Sequence, residues 1–165
     1  EIKMRRSHGE KKAGDYIHNI LGTNARLTDM QAGIGLAQLK KLKKYILLRN
    51  KVAKTYNKLL QDNKKIVLPI TKQYSYNAYF SYPILIKNRD KIARNLRNKY
   101  GIDTRIAYKM PIYKQKIYKH KQFPFRKLNC PNAEYISSKI LNLPIYPSLS
   151  KSNINYIVKS LIKEI

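Results

Sequence analysis

The stretch Thr28-Asp29-Met30-Gln31-Ala32-Gly33-Ile34-Gly35-Leu36-Ala37-Gln38-Leu39 opens the longest helical pattern in the chain. Thr28 is a residue type that caps helices. Gln31 stands three positions on, the spacing of a reciprocal capping box. Beyond it, apolar side chains recur at Leu39, Leu42, Tyr45, Ile46, Val52, Ala53, Tyr56, Leu59 and Leu60. Steps of three, four and seven place them on one helical face. Lys40, Lys41, Lys44, Lys51, Lys54 and Lys58 occupy the other. A helix over 28–61 would run about 50 Å at 1.5 Å per residue. That exceeds the core of a small domain, so the helix is expected to join two domains or two subunits. Gly33 and Gly35 weaken it and leave room for another backbone to approach.

Upstream, 1–27 reads as irregular, punctuated by Gly9, Gly14 and Gly22. Downstream, 66–68 and 78–86 read as strands, 88–100 as a helix closed by Gly101, and 102–108 as another strand. A basic, aromatic loop fills 109–130. Pro131 opens a short helix to Leu141, 143–149 is extended, and Ser150 caps a last helix. That helix turns Ile154, Ile157, Val158, Leu161 and Ile162 inward. Strands and helices that mix without strict alternation predict an α+β layer. No internal repeat is evident.

The chain has 165 residues, with 35 Lys+Arg against 9 Asp+Glu, a formal charge of +26. At 43% hydrophobic it can bury a core, unlike a disordered polycation. No apolar run reaches the roughly 20 residues of a membrane span, and the N-terminus has no signal-peptide pattern. Cys130 is the only cysteine, so no internal disulfide forms. With His8, His18 and His120 scattered, a metal site is not expected. Such charge suits a nucleic acid or an anionic surface. Lys, Ile, Asn and Tyr, however, account for 75 of the 165 residues, and all four have A/T-rich codons. Exposed lysines cost little, so coding bias accumulates them without function.

Four stretches carry more information. They are Arg6-Ser7-His8-Gly9 with Tyr16-Ile17-His18 and Gly22-Thr23-Asn24-Ala25-Arg26; the 28–39 segment; Gly101-Ile102-Asp103-Thr104-Arg105 with Tyr108, Pro111-Ile112 and Gln115; and Pro131-Asn132-Ala133-Glu134 with Leu143-Pro144-Ile145-Tyr146-Pro147-Ser148-Leu149. In this order and spacing they resemble the DegT/DnrJ/StrS family of pyridoxal-phosphate-dependent nucleotide-sugar aminotransferases. The likeness is nearest to the perosamine-synthetase-like members, which aminate the C4 keto group of a nucleotide-linked 4-keto-6-deoxy sugar. It extends over nearly the whole chain but covers only the C-terminal portion of such enzymes. It implies an α+β small domain of a fold-type-I aminotransferase: 1–27 the end of the large cofactor domain, 28–62 the connecting helix, and 63–165 the small C-terminal domain. The Schiff-base lysine and the aspartate facing the pyridine nitrogen would lie before Glu1. None of the 26 lysines stands in the matching context. The resemblance therefore assigns no catalytic residue here, and the isolated chain is expected not to turn over.

The same resemblance gives Asn24 to the cofactor phosphate, reached across a subunit boundary. Read from the sequence alone, Asn24 is a turn residue. Arg26 is implied to orient the active-site loop or a substrate phosphate; its plainer reading is an ion pair with Asp29. Lys109 and Tyr113 lie in the loop that faces substrate in relatives. Phe80 and Tyr113 stand where family members often have histidines, and tyrosine cannot serve as a near-neutral acid or base. His8 and His18 read as structural, and Cys130 as an inert packing residue. Glutamate is the implied amino donor, a homodimer or a separately encoded N-terminal half the implied partner, and the cytoplasm the expected setting.

Two rival readings stand beside this one. Residues 104–133 hold Arg105, Lys109, Lys114, Lys116, Lys119, Lys121, Arg126 and Lys127 without an acid, interleaved with Tyr108, Tyr113 and Tyr118. Cations with aromatics suit a non-enzymatic nucleic-acid-binding module, or a grip on a nucleotide-sugar diphosphate. The apolar stripe of the long helix also suits an inactive remnant that still dimerises.

Overall fold

The computed structural model describes residues 1–119 and 129–165. It divides into two compact units, Glu1–Lys43 and Lys44–Ile165.

The N-terminal unit opens with a single helical turn, α1 (Ile2–Arg5). Its chain then folds back on itself through isolated antiparallel bridges, Ser7 with Asn24 and Glu10 with His18. The return is tight where Gly9 crosses 20–22. Gly9 has φ +79°, and a Cβ there would lie 1.8 Å from the Ile20 carbonyl oxygen. A Cβ on Gly22 would lie 2.2 Å from the Gly9 nitrogen, so only glycine fits at either position. Buried Glu10 accepts the Gly14 N–H at 2.8 Å, closing the loop between them.

Helix α2 (Asp29–Leu60) begins in this unit, and the unit boundary falls within it. The capping box is reciprocal as the spacing predicts: the Gln31 N–H donates to Thr28 Oγ1 at 3.3 Å, and the Thr28 N–H to Gln31 Oε1 at 3.0 Å. The 32 residues of α2 correspond to about 48 Å of helical rise along the chain. Its apolar face does not bury uniformly. Val52, Ala53, Tyr56 and Leu60 are buried, whereas Leu39, Leu42 and also Leu59 are exposed. A Cβ on Gly33 or Gly35 meets nothing within 4 Å in this chain.

The C-terminal unit holds the core. An antiparallel sheet has the order β1 (Ile66–Val67), β2 (Tyr82–Ile86), β3 (Ile140–Leu143). In β2, Tyr82, Ile84 and Ile86 are buried while Pro83 and Leu85 are half-buried, the period of a strand with one face inward. Pro83 is tolerated in this central strand because of where it pairs. Its partner Asn142 spends both main-chain groups on Arg105, on the far side. Pro83 is therefore not asked for an N–H toward β3, and β1 ends before reaching it. Tyr56 of α2 stacks on Tyr82, ring centroids 4.8 Å apart, and donates its hydroxyl to the Pro144 carbonyl at 3.0 Å. Burial raises the Tyr56 phenol well above its ordinary range, so it stays a donor.

Helix α3 (Arg89–Tyr100) ends at Gly101, φ +64°, with the Gly101 and Ile102 N–H groups returning to Arg97 and Leu96, the paired closure that glycine permits. Helix α4 (Pro131–Lys139) leads directly into β3, and α5 (Lys151–Lys163) is capped by Ser150, whose Oγ accepts the Asn153 N–H at 3.1 Å. Ile154, Ile157, Val158 and Leu161 of α5 are buried as the pattern predicts; Ile162 is exposed.

The sequence reading needs three further corrections. The strand expected over 78–86 starts only at Tyr82, because Asn77 Oδ1 accepts the Tyr79 N–H at 2.8 Å and Tyr79 turns to φ +46°. No strand forms over 102–108; a single bridge joins Arg105 to Asn142. The helix from Pro131 stops at Lys139, and Ile140–Leu143 become β3 because the sheet offers them a partner that local propensity does not reveal. No helix among the described residues is long and apolar enough to cross a membrane.

Candidate functional site

The residues singled out from sequence fall into two groups, one in each unit. In the N-terminal unit, main-chain bonds pin both neighbours of Asn24. The Thr23 N–H donates to Arg5 (2.8 Å), the His8 N–H to the Thr23 carbonyl (3.1 Å), and the Ala25 N–H to Arg6 (2.9 Å). The Asn24 side chain is thus exposed on a fixed backbone. Its Oδ1 accepts from Arg26 Nε at 3.1 Å. With Oδ1 used by Arg26, the two Nδ2 protons have no partner among the described residues. The ion pair between Arg26 and Asp29 that the sequence also suggested does not form. His18 Nδ1 lies 2.8 Å from the His8 carbonyl oxygen, a structural bond that requires the proton on Nδ1.

In the C-terminal unit a short 3₁₀ turn (Ile112–Lys114) presents Tyr113. Its hydroxyl donates to Glu134 Oε1 at 2.6 Å, and Lys114 Nζ lies 2.7 Å from Glu134 Oε2. Glu134 sits in the first turn of α4, where a carboxylate also suits the helix dipole. The hydrogen bond to Glu134, with some burial, pushes the Tyr113 phenol up to about 12. Lys114, and then Tyr113, hold the Glu134 carboxyl below its ordinary range. With its proton committed to Glu134, the Tyr113 oxygen offers a ligand an acceptor, not the donor its chemistry alone would suggest.

Lys109 is exposed, and its ammonium has no partner among the described residues. Its main chain is held by Arg89, 4% exposed, which donates to the carbonyls of Ser137 (2.6 Å), Ile140 (3.1 Å) and Lys109 (3.5 Å). Arg89 thereby satisfies carbonyls at the end of α4 and ties the 109–119 loop to them. Beside this loop an open apolar groove of about 590 Å³ is lined by Tyr108, Met110, Pro111, Ile112, Ile136 and others; neither Lys109 nor Tyr113 lines it. Phe80 is exposed and Cys130 half-buried at the start of α4. Lys121, Arg126 and Lys127, part of the basic run, lie outside the described residues, as does His120. Among the described residues no cluster of three or more His, Cys, Asp or Glu could hold a metal ion.

Glu134 stands in a quoted motif without a role of its own, and Arg89 is not singled out by the sequence. Glu134 was legible as a first-turn acid, but nothing local links it to a tyrosine 21 positions earlier. Arg89, at a helix start in a lysine-rich chain, reads as surface charge until its burial is seen.

The fold is one found in part of solved sugar aminotransferases and their relatives. The profile of the DegT/DnrJ/EryC1/StrS aminotransferase family matches residues 1–162, and the chain belongs to that family. It is 31% identical over 160 residues to the erythromycin biosynthesis sensory transduction protein EryC1 of Saccharopolyspora erythraea, covering 97% of this chain and 42% of that one. It is 30% identical over 153 residues to the GDP-perosamine synthase of Escherichia coli O157:H7, covering 88% and 38%. A crystal structure of a DegT/DnrJ/EryC1/StrS aminotransferase from Brucella abortus superposes with a TM-score of 0.86 at 29% identity, covering 98% of this chain and 42% of that one. The chain thus spans less than half the length of these relatives.

Proposed function

We propose that this chain is the C-terminal portion of a pyridoxal-phosphate-dependent aminotransferase that moves an amino group, from glutamate as donor, onto a keto nucleotide-sugar used in surface polysaccharides. The match of the family profile across residues 1–162 carries this reading. Its domains are then the end of the cofactor domain (1–27), a connecting helix (28–62) and the small domain (63–165). The Schiff-base lysine belongs to a portion outside these 165 residues, so the chain by itself does not turn over. A homodimer, or pairing with a separate N-terminal half in the cytoplasm, completes the enzyme.

The residues present fit the cofactor's phosphate. Asn24 is exposed on a backbone pinned on both sides, and with Arg26 on its Oδ1 its two Nδ2 donors have no partner among the described residues. Pyridoxal phosphate, when bound, supplies the electron sink for amino-group transfer. Asn24 would grip its phosphate, while the Arg26 guanidinium adds positive charge beside it. In the small domain, Lys109 is placed for a substrate phosphate. Tyr113, held by Glu134, would accept a hydrogen bond from a sugar hydroxyl and so orient the ring.

The test is to express the chain joined to the coding region that precedes it. The expected product carries bound pyridoxal phosphate with its visible absorbance, and Asn24→Ala weakens retention of the cofactor about ten-fold. A preceding region that encodes no cofactor domain, or a joined protein that binds no cofactor, refutes the reading.

A further inference from the structure

A second cavity, in the C-terminal unit, has a different chemistry. It measures about 590 Å³ and lies where the turn after α2, the β2–α3 turn and the ends of α4 and α5 meet. Five lysines line it: Lys64 and Lys65 from the first turn, Lys87 and Lys91 around the start of α3, and Lys139 from the last turn of α4. They come from three separate stretches of chain, so no single helical face accounts for their meeting.

The cavity holds little to neutralise them. Glu164 is the only side-chain carboxylate in the lining, and its oxygens already accept from Asn95, Lys99 (2.9 Å) and Tyr100 (3.1 Å). Lys65 donates to the Ile165 main-chain oxygen at 3.0 Å, and Lys139 lies over the Tyr135 ring, 3.9 Å from its centroid. Lys64, Lys87 and Lys91 are exposed, and their ammonium groups have no hydrogen bond or ion pair among the described residues. Like charges gathered in a concavity repel one another, and the low-dielectric floor of Leu85, Ile86 and Ile92 screens them less than open solvent would. A multiply charged anion relieves that repulsion, and each ammonium offers three donors to its oxygens.

The geometry points to a binding site for a polyphosphate anion, gripped by Lys64, Lys87 and Lys91 and flanked by Lys65 and Lys139. Coding bias is one reading of the many exposed lysines on this protein. It does not account for a concave site in which the available carboxylate is already taken. The half-exposed Tyr135 ring and Val67 give the site an apolar border on which a nucleoside could rest. The polyphosphate could therefore be free or part of a nucleotide.

The experiment is isothermal titration of the 165-residue chain with inorganic tripolyphosphate at fixed ionic strength, repeated with ATP. Saturable binding is expected, weakened at least about ten-fold in the triple variant Lys64→Gln, Lys87→Gln, Lys91→Gln. A second triple variant, Lys40→Gln, Lys44→Gln, Lys51→Gln on α2, removes the same charge elsewhere and is expected to change binding less than about two-fold. Circular dichroism confirms that both triples fold, and Lys87→Glu alone should weaken binding in the same direction. Tighter binding of ATP than of tripolyphosphate assigns the site to a nucleotide; equal binding assigns it to the phosphate chain. Absence of saturable heat, or equal losses in the two triple variants, overturns the proposal.

Discussion

The two units use apolar residues in opposite ways. In Lys44–Ile165 the large apolar side chains Tyr56, Leu60, Tyr82, Ile84, Leu96, Leu141 and Leu161 are fully buried in one cluster. In Glu1–Lys43 the buried residues are Gly9 and Glu10, while Leu21, Leu27, Met30, Ile34, Leu36 and Leu39 are exposed. One helix runs through both. The difference lies in what each has to pack against. The C-terminal unit carries its own sheet and helices. The N-terminal one is held by main-chain bonds and two glycine contacts, and its apolar side chains stay exposed.

Mutations can break this contrast. Tyr56→Ala removes a buried ring and a hydrogen bond from the core and should cost about 3–5 kcal/mol in urea unfolding. Leu36→Ala, on the same helix but 63% exposed, should stay within about 0.5 kcal/mol. Equal costs would mean that the N-terminal apolar face is packed in solution. A smaller effect, confined to the other unit, is expected of Gly22→Ala. The added Cβ collides with the Gly9 backbone and should cost about 1–3 kcal/mol locally. Hydrogen exchange would quicken at Thr23 and Ala25 and stay unchanged in β2; spread of the effect into β2 would merge the two units into one cooperative body.

The smallest effect tests the polar contacts of the C-terminal unit. Tyr113 is raised to about 12 by its bond to Glu134. That bond therefore stabilises the fold below the unfolded tyrosine value of about 10 and is lost as pH rises through the folded one. Glu134→Gln should bring Tyr113 ionisation back toward about 10. The change is read as the ultraviolet difference between titrations with and without Tyr113→Phe. An unchanged midpoint would place the cause in burial instead of in Glu134.

Much of this was legible beforehand, for identifiable reasons. The capping box at Thr28, the glycine stop at Gly101 and the serine cap at Ser150 are local devices, complete within four residues, and each stands where the sequence placed it. The β3 strand and the late start of β2 depend on partners distant in the chain, and local pattern missed them. The apolar stripe of α2 gave the helix but not which half of it is covered, because periodicity records a face and not the neighbour. At the candidate sites, the family resemblance pointed to Asn24 and Tyr113, whereas local sequence alone made Asn24 a turn residue. The sense of their hydrogen bonds, set by Arg26 and Glu134, came only from geometry.

Arg89 has a consequence for how tolerance to mutation would be read. One guanidinium fastens the α4–β3 junction and the loop carrying Lys109. A lysine there has the charge but lacks the planar fork that reaches several carbonyls at once. In a saturation library selected only for folded protein, with no demand for chemistry, position 89 should therefore be as intolerant as a catalytic residue. Intolerance in this chain can mark a fastener as readily as an active site.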